Sequence, residues 1–197
     1  PSEVVQQHGC RALARLARSK EGQQAVLAVD GSVAALVAAV AGSADDDVQD
    51  QGCRALGYLA ESAEGTQAVL AVEGSVAAVV AAMIRQEEDD DVQRSGCLAL
   101  SNLVMKVSDE GEQAVLGVDG SIAAILKAMA GHATDTEVQR HGCRALANLA
   151  VSEEGERAVL AVEGAVAAVV AALTGHATDA DVQYQGCDAL ANLTASE

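Results

Sequence analysis

The sequence predicts an all-α fold in which a unit of three helices is repeated along the chain, and three observations predict it. The pattern VQxxGCxALxxL occurs five times, beginning at Val5, Val48, Val92, Val138 and Val182. Its Gly-Cys pairs, Gly9-Cys10, Gly52-Cys53, Gly96-Cys97, Gly142-Cys143 and Gly186-Cys187, are 43, 44, 46 and 44 residues apart. A period of that size marks a solenoid, whose units bury their apolar faces only against their neighbours. Composition is the third observation: half of the residues are apolar, aromatics are only 1% and proline occurs once. A core of Ala, Val and Leu follows, and small side chains let helices approach closely.

Taken in order, Ser2 to Arg18 reads as a single helix of the repeated type, whose own unit is incomplete. Ser19 to Asp30, with relatives starting at Ser62, Ser108 and Ser152, reads as a short first helix. Its serine supplies an N-cap oxygen and its acidic residues suit the first turn. Gly31, Gly74, Gly120 and Gly164 stand where a C′ glycine would end it. Ser32, Ser75 and Ser121 are then placed to cap SVAALVAAV and its copies, whose length and alanine content favour a second helix. Gly42, Gly131 and Gly175 are placed to end that helix.

Acidic clusters come next: Asp45-Asp46-Asp47, Glu87 to Asp91, Asp135 with Glu137, and Asp179 with Asp181. Each precedes the Val-Gln of a third helix, whose N-terminus favours negative charge. They lack the glycine and the distant bidentate Glu of a calcium loop, so no metal is expected there. Within the third helix Val48, Gly52, Ala55, Leu56 and Leu59 fall at i, i+4, i+7, i+8 and i+11 on one apolar face. A mid-helix glycine costs up to ~1 kcal/mol against alanine. Its recurrence therefore predicts a helix crossing too close for a methyl group.

The five cysteines occupy one position copied five times and show no CxxC spacing, which predicts small buried core residues rather than disulfides or a zinc site. Free thiols of this kind suit a reducing compartment. No apolar run reaches the roughly 18 residues of a membrane span, so a soluble chain is expected, cytoplasmic by default, with nuclear or ciliary placement also compatible. His132 and His176 repeat a GHATD connection, while His8 and His141 precede Gly-Cys pairs; none assembles with a nucleophile and a third group. With no phosphate-binding glycine motif either, neither enzyme activity nor a cofactor is expected. The net charge of −17 disfavours nucleic acid.

Units of this length carrying VQ and ALxNLA on the third helix resemble armadillo repeats. The residues that carry the resemblance most clearly are Ala99-Leu100-Ser101-Asn102-Leu103 and Ala145-Leu146-Ala147-Asn148-Leu149-Ala150. It covers essentially the whole chain and implies a right-handed superhelical array. Residues 1–18 would be a lone third helix, with repeats at 19–61, 62–107, 108–151 and 152–195; HEAT-like helix pairing is the alternative. Two departures stand out. Gly-Ser replaces the common Gly-x-x-Pro between the first two helices, and Met105 to Val107 includes a two-residue insertion. Armadillo arrays serve in nuclear import, adhesion, signalling, cilia and ubiquitin ligation, so the resemblance specifies a fold better than a partner.

In peptide-binding members the third helices line a concave groove, with a Trp and, four residues later, an Asn that grips the peptide backbone. The resemblance places Arg11, Arg54, Leu98, Arg144 and Asp188 at the Trp positions and Arg15, Tyr58, Asn102, Asn148 and Asn192 at the Asn positions. One turn earlier on the same face lie Gln7, Asp50, Arg94, Arg140 and Tyr184. This stripe holds six of the chain's twelve basic residues and both tyrosines. One reading is a solvated helix face whose arginines pair with nearby carboxylates for at most ~0.5 kcal/mol each. The other is a groove for a protein segment, with Arg offering bidentate donors, Tyr a rigid contact and Asn a grip on main chain.

The expected function is therefore a non-catalytic scaffold that binds a protein or peptide segment, acidic or extended, in that groove. Arginines in place of tryptophans oppose lysine-rich cargo. The arginines of the first half should favour acidic or phosphorylated segments, and Asn102, Asn148 and Asn192 should hold backbone. The alternative is a structural array that contacts neighbours through its convex or terminal surfaces. Ends lacking polar cap helices predict that the array continues or that other chains cover it.

Overall fold

In a computed structural model the protein is described over residues 2–105 and 109–194. Among the described residues there are thirteen α-helices and no strand. The first, α1 (Glu3–Ala17), stands alone, and thereafter helices of 8, 11 and 14 residues recur as α2 (Lys20–Leu27), α3 (Ser32–Gly42) and α4 (Asp46–Leu59). The same three lengths return in α5 (Ala63–Leu70), α6 (Ser75–Arg85) and α7 (Asp90–Leu103), and in α8 (Asp109–Leu116), α9 (Ser121–Gly131) and α10 (Thr136–Leu149). Last come α11 (Glu153–Leu160), α12 (Ala165–Gly175) and α13 (Ala180–Asn192).

The long helices stack in chain order, α1 on α4, α4 on α7, α7 on α10 and α10 on α13. A second layer is formed by α3, α6, α9 and α12, and α2, α5, α8 and α11 pack in the same order. Each short helix meets the following one at a steep corner, 91° at α2–α3 and 83°, 81° and 84° at the later pairs. Leu36, Leu56, Leu59, Leu100, Leu103, Ile125, Leu146 and Leu149 are fully buried between the layers. Among the described residues no single helix is long and apolar enough to cross a membrane.

Helix starts follow the sequence closely. Ser19, Ser62 and Ser152 accept the N–H of Gly22, Gly65 and Gly155 at 3.1, 3.1 and 3.0 Å. The acidic clusters resolve into one capping carboxylate each. Asp45, Asp89, Asp135 and Asp179 accept from Val48, Val92, Val138 and Val182 at 2.9–3.0 Å. Each thereby satisfies an amide that the helix itself leaves without a partner. Ser108 and most of the insertion at Met105 to Val107 lie outside the described residues.

The repeated Val-Gln acquires a physical meaning. Gln93 donates through Nε2 to the carbonyls of Met83 and Gln86, both at 2.8 Å, and Gln139 does the same to Met129 and His132 at 2.8 and 3.1 Å. Gln49 and Gln183 reach Ser43 and Leu173. A glutamine in each of α4, α7, α10 and α13 therefore covers carbonyls at the end of the middle helix before it, those of Gln86 and His132 also accepting the Asp89 and Asp135 amides.

Three expectations need correction. The short helices end at Leu27, Leu70, Leu116 and Leu160, before the glycines; Gly31, Gly74, Gly120 and Gly164 instead open the middle helices in the left-handed region, at φ 79°, 78°, 81° and 87°. Ser32, Ser75 and Ser121 are consequently the first helical residues and not caps; Ser32 donates its hydroxyl to the Val26 carbonyl at 2.7 Å. Of the cysteines, Cys10, Cys53, Cys97 and Cys143 are buried and free, but Cys187 is exposed, on the face of α13 that no other long helix among the described residues covers.

The close crossing expected at the long-helix glycine is present. A Cβ at Gly52, Gly96, Gly142 or Gly186 would lie 2.3–2.6 Å from Val40, Met83, Met129 or Leu173 of the neighbouring middle helix. Gly9, in α1, faces no heavy atom within 4 Å. A second set of glycines is tighter still. A Cβ at Gly22, Gly65 or Gly155 would sit 1.8 Å from the backbone oxygen of Leu16, Leu59 or Leu149.

Candidate functional site

Stacking of the long helices brings part of the predicted stripe together around three adjoining cavities. Arg11, Arg15, Arg54 and Tyr58 line one of about 260 Å³ between α1 and α4. Arg54, Tyr58, Arg94 and Leu98 share one of about 140 Å³, and Tyr58, Leu98, Asn102, Arg140 and Arg144 one of about 400 Å³. Gln7, Asn148, Tyr184, Asp188 and Asn192 line none of the three. Tyr184 is 69% exposed on α13.

The charged side chains lining the α1–α4 cavity are all basic. Arg11 and Arg15 come from one face of α1 and Arg18 from its C-cap, at i, i+4 and i+7, Arg54 and Tyr58 from α4, and Ala14 and Gln51 complete the lining, which contains no carboxylate. Arg11 pairs at 3.7 Å with Asp47, and Arg54 at 2.8 Å with Asp50 and 3.8 Å with Asp91. Arg15 and Arg18 are exposed and make no ion pair among the described residues. The stripe omitted Arg18, although its spacing of seven from Arg11 was the signal that could have found it.

Asp50 lies beneath this surface, 5% exposed. Its carboxylate accepts from Arg54 at 2.8 Å, Ser95 at 2.5 Å and Gln51 at 2.6 Å. Burial pushes its pKa up, opposed by the Ser95 hydrogen bond and the Arg54 charge. Asp50 thus positions Arg54 from behind and is no open ligand contact. Ser95, buried on α7, receives Arg54 Nε at 3.2 Å and is the unforeseen link in this chain.

Farther along, the arginines are already occupied. Arg94 contacts Asp135 and Asp91 at 2.5 Å and Asp90 at 3.7 Å. Arg140 pairs with Glu137 and, at 3.7 Å, with Asp181; its buried Nε has no partner. Among the described residues Arg144 has no carboxylate in contact, and it donates to Met105 Sδ at 2.7 Å; burial pushes its pKa down and the charge of Arg140 adds to this. The largest of these three cavities is consequently mixed in sign, with Glu61, Glu137 and Asp181 beside Arg140 and Arg144.

The asparagines act inward. Asn102, 1% exposed, donates to the Gly57 carbonyl at 2.9 Å, Asn192 to Ala147 at 2.9 Å, and Asn148 to Ser101 at 3.4 Å. Each amide thus ties one long helix to the one before it, where the resemblance implied a grip on a bound backbone. Only the Asn102 Oδ1, buried and without a partner, is left over.

His141, unassigned by the sequence, is buried between α7 and α10. Its Nδ1 lies 3.4 Å from Ser101 Oγ and its Nε2 3.5 Å from Glu137. Ser, His and Glu in that order have the make-up of a nucleophile relay. Yet Ser101 is fully buried and donates to the Leu98 carbonyl, and burial together with Arg140 and Arg144 pushes the His141 pKa down to about 3. The GHATD histidines bridge units: His132 contacts Asp90 at 2.6 Å and the Glu87 carbonyl at 2.8 Å, and His176 the Ala133 carbonyl at 3.0 Å. Among the described residues no group of three or more His, Cys, Asp or Glu is placed to hold a metal ion.

No protein-family model matches the chain, and no curated protein matches it. Among solved structures, the chain is similar to the crystal structure of an engineered protein from the Northeast Structural Genomics Consortium. The two share 29% identity at a TM-score of 0.80, over 95% of this chain and 74% of the other. That likeness joins the thirteen helices in establishing an all-helical, repeat-like fold.

Proposed function

We propose that the chain is a right-handed, armadillo-like solenoid that acts as a non-catalytic scaffold, binding an acidic protein segment along the face of α1, α4, α7, α10 and α13. One observation carries this reading: in a chain of net charge −17, four arginines and a tyrosine line one cavity with no carboxylate among them. A segment bearing Asp or Glu would meet planar donors suited to bidentate contacts, while Tyr58 supplies a rigid wall. The inward asparagines argue that the second half of the face offers shape and mixed polarity, not a backbone ladder. A non-catalytic role is supported by His132 and His176 serving as links between units and by Ser101 being inaccessible.

A peptide-array screen tests the reading. Enrichment of Glu- and Asp-rich peptides over Lys-rich ones is expected, weakened by salt because exposed charges are screened over ~8 Å at physiological ionic strength. Preferential capture of lysine-rich peptides sinks it. The structural-array alternative is favoured by a different observation, the outward Val166 and Val170 of α12, 44% and 45% exposed. It predicts that crosslinks to a partner map to the middle helices and avoid Arg54 and Tyr58.

A further inference from the structure

We propose that the cavity between α1 and α4 receives the phosphoryl group of a phosphorylated side chain in the bound segment, an inference that rests on the acidic-segment reading and narrows it to one modification. Charge is the first argument. Of the four arginines in the wall, Arg11 and Arg54 share their charge with Asp47, Asp50 and Asp91, whereas Arg15 and Arg18 make no ion pair among the described residues. The charges of Arg15 and Arg18 are thus two that no carboxylate among the described residues shares, while Asp91 is also held at 2.5 Å by Arg94. A phosphate monoester carries about −1.5 to −2 at neutral pH and three acceptor oxygens, so it can meet both of these guanidinium groups at once, where one carboxylate offers about half that charge.

Shape agrees. Arg11 and Arg15 share one face of α1 with Arg18 following as its C-cap residue, and Arg54 approaches from α4 with its Nη2 held by Asp50 and its Nε by Ser95. Guanidinium forks from two helices therefore converge on a volume of about 260 Å³. That space suits one phosphoryl group with its side-chain stem, and the Tyr58 ring bounds it toward the next cavity.

A nucleic-acid strand fits less well. A polyanion gains affinity from phosphate contacts repeated along the protein. The next arginines on the face, Arg94 and Arg140, are already held by Asp90, Asp91, Asp135, Glu137 and Asp181. The chain's overall −17 repels the rest of such a strand. The arrangement is a site for a single dianion.

The test is fluorescence anisotropy with three probes: a Glu- and Gly-containing peptide with one central phosphoserine, its serine counterpart, and an oligothymidylate. Wild type is compared with Arg15→Ala/Arg18→Ala, whose exposed sites make no ion pair, and far-UV circular dichroism verifies its fold. The phosphopeptide should bind about tenfold more tightly than the serine peptide, with an advantage below about twofold in the double variant. Arg15→Lys/Arg18→Lys, which keeps the charge but loses the forks, should retain an intermediate advantage. Equal affinity for the two peptides overturns this inference and leaves the acidic-segment reading standing; binding of neither overturns both. Tighter binding of the oligothymidylate than of the phosphopeptide also overturns it, in favour of a polyanion site.

Discussion

The α1–α4 end of the long-helix face and the α7–α13 end present the same helix positions but put them to different uses. At each junction an arginine of one long helix reaches an acidic residue at the start of the next: Arg11 to Asp47, Arg54 to Asp91, Arg94 to Asp135 and Arg140 to Asp181. Arg15, on the last turn of α1, and Arg18, its C-cap, lie one and two turns beyond that reach, where a basic residue suits the helix dipole. At the other end the positions corresponding to Arg15 hold Asn102, Asn148 and Asn192, whose amides are turned into the stack. A position on a repeated helix is free for a ligand only where its neighbour supplies no partner, and composition alone does not reveal that.

The comparison presumes a common frame, and the largest expected effect comes from breaking the frame. Gly65→Ala would place a Cβ 1.8 Å from the Leu59 carbonyl oxygen, an atom fixed by the end of α4. Alanine gains up to ~1 kcal/mol of helix propensity over glycine, but forcing backbone apart costs about 3 kcal/mol or more, so steric loss wins. Urea unfolding should show the drop. An unchanged midpoint would mean that α5 can shift away from α4 freely, and the register of the face would then be soft.

Next in size is a contrast between the two ends. Asn102→Ala removes a buried donor to the Gly57 carbonyl and should lower stability by about 2 kcal/mol, with little effect on binding. Arg15→Ala should do the reverse, leaving the unfolding midpoint alone while weakening capture of an acidic peptide. If Asn102→Ala is thermally neutral and instead abolishes peptide binding, the asparagine belongs to the ligand and the division drawn here fails.

Much of the frame was legible because it is written repeatedly. Capping residues such as Ser62 and Asp135, the apolar face of Val48, Ala55, Leu56 and Leu59, and the close approach at Gly52 all follow from local rules. What escaped depended on atoms distant in sequence. Whether Gly31 closes one helix or opens the next turns on where α2 stops, and Ser32 lost its cap role with it. The short-helix glycines did carry a signal, Ser-x-Glu-Gly at Ser19, Ser62, Ser108 and Ser152, with glycine where a capping box would favour Glu. Asn102, Ser95 and His141 were illegible for another reason: their partners Gly57, Asp50 and Ser101 lie 40 or more residues away. The exposure of Cys187 likewise depends on a neighbour and not on the residue.

Acid titration separates the two ends more finely. Asp50 has its pKa raised above the ordinary 3.8 by burial, so the folded state holds its proton more tightly than the unfolded chain. Its contribution is full below 3.8 and is lost as pH rises through the raised native value. Asp135 behaves oppositely. Burial raises its pKa, but the Val138 amide and Arg94 outweigh this and leave it lowered. The stabilisation it gives is present above 3.8 and is lost as pH falls through the lowered value. Unfolding midpoints followed from roughly pH 3 to 7 should therefore lose their decline on the neutral side in Asp50→Asn and their decline on the acid side in Asp135→Asn, since asparagine still caps a helix. Identical profiles for the two variants would show that the Arg54 and Arg94 networks are electrostatically alike.

The smallest expected effect is also the one that most sharpens the contrast, because it concerns arginines of similar exposure. Arg54 and Arg140 both have side chains 31% exposed, and each has carboxylates within 4 Å. Arg54, however, opens on a cavity whose wall holds three more arginines and no carboxylate, while Arg140 opens on one that also holds Glu61, Glu137 and Asp181. An incoming carboxylate gains at Arg54 without meeting a like charge in the wall, and at Arg140 it must displace or approach three. Exposed ion pairs are worth at most about 1 kcal/mol, so Arg54→Ala should weaken binding of an acidic peptide by about fivefold and Arg140→Ala by less than about twofold. Glu137→Gln adds a second arm: it releases Arg140 from its nearest partner and should make a further Arg140→Ala change newly costly to binding. Titration of one acidic peptide against these variants at low salt measures the difference, and equal losses at Arg54 and Arg140 would show that the acidic groups of the segment are held evenly along the face and not chiefly at its α1–α4 end.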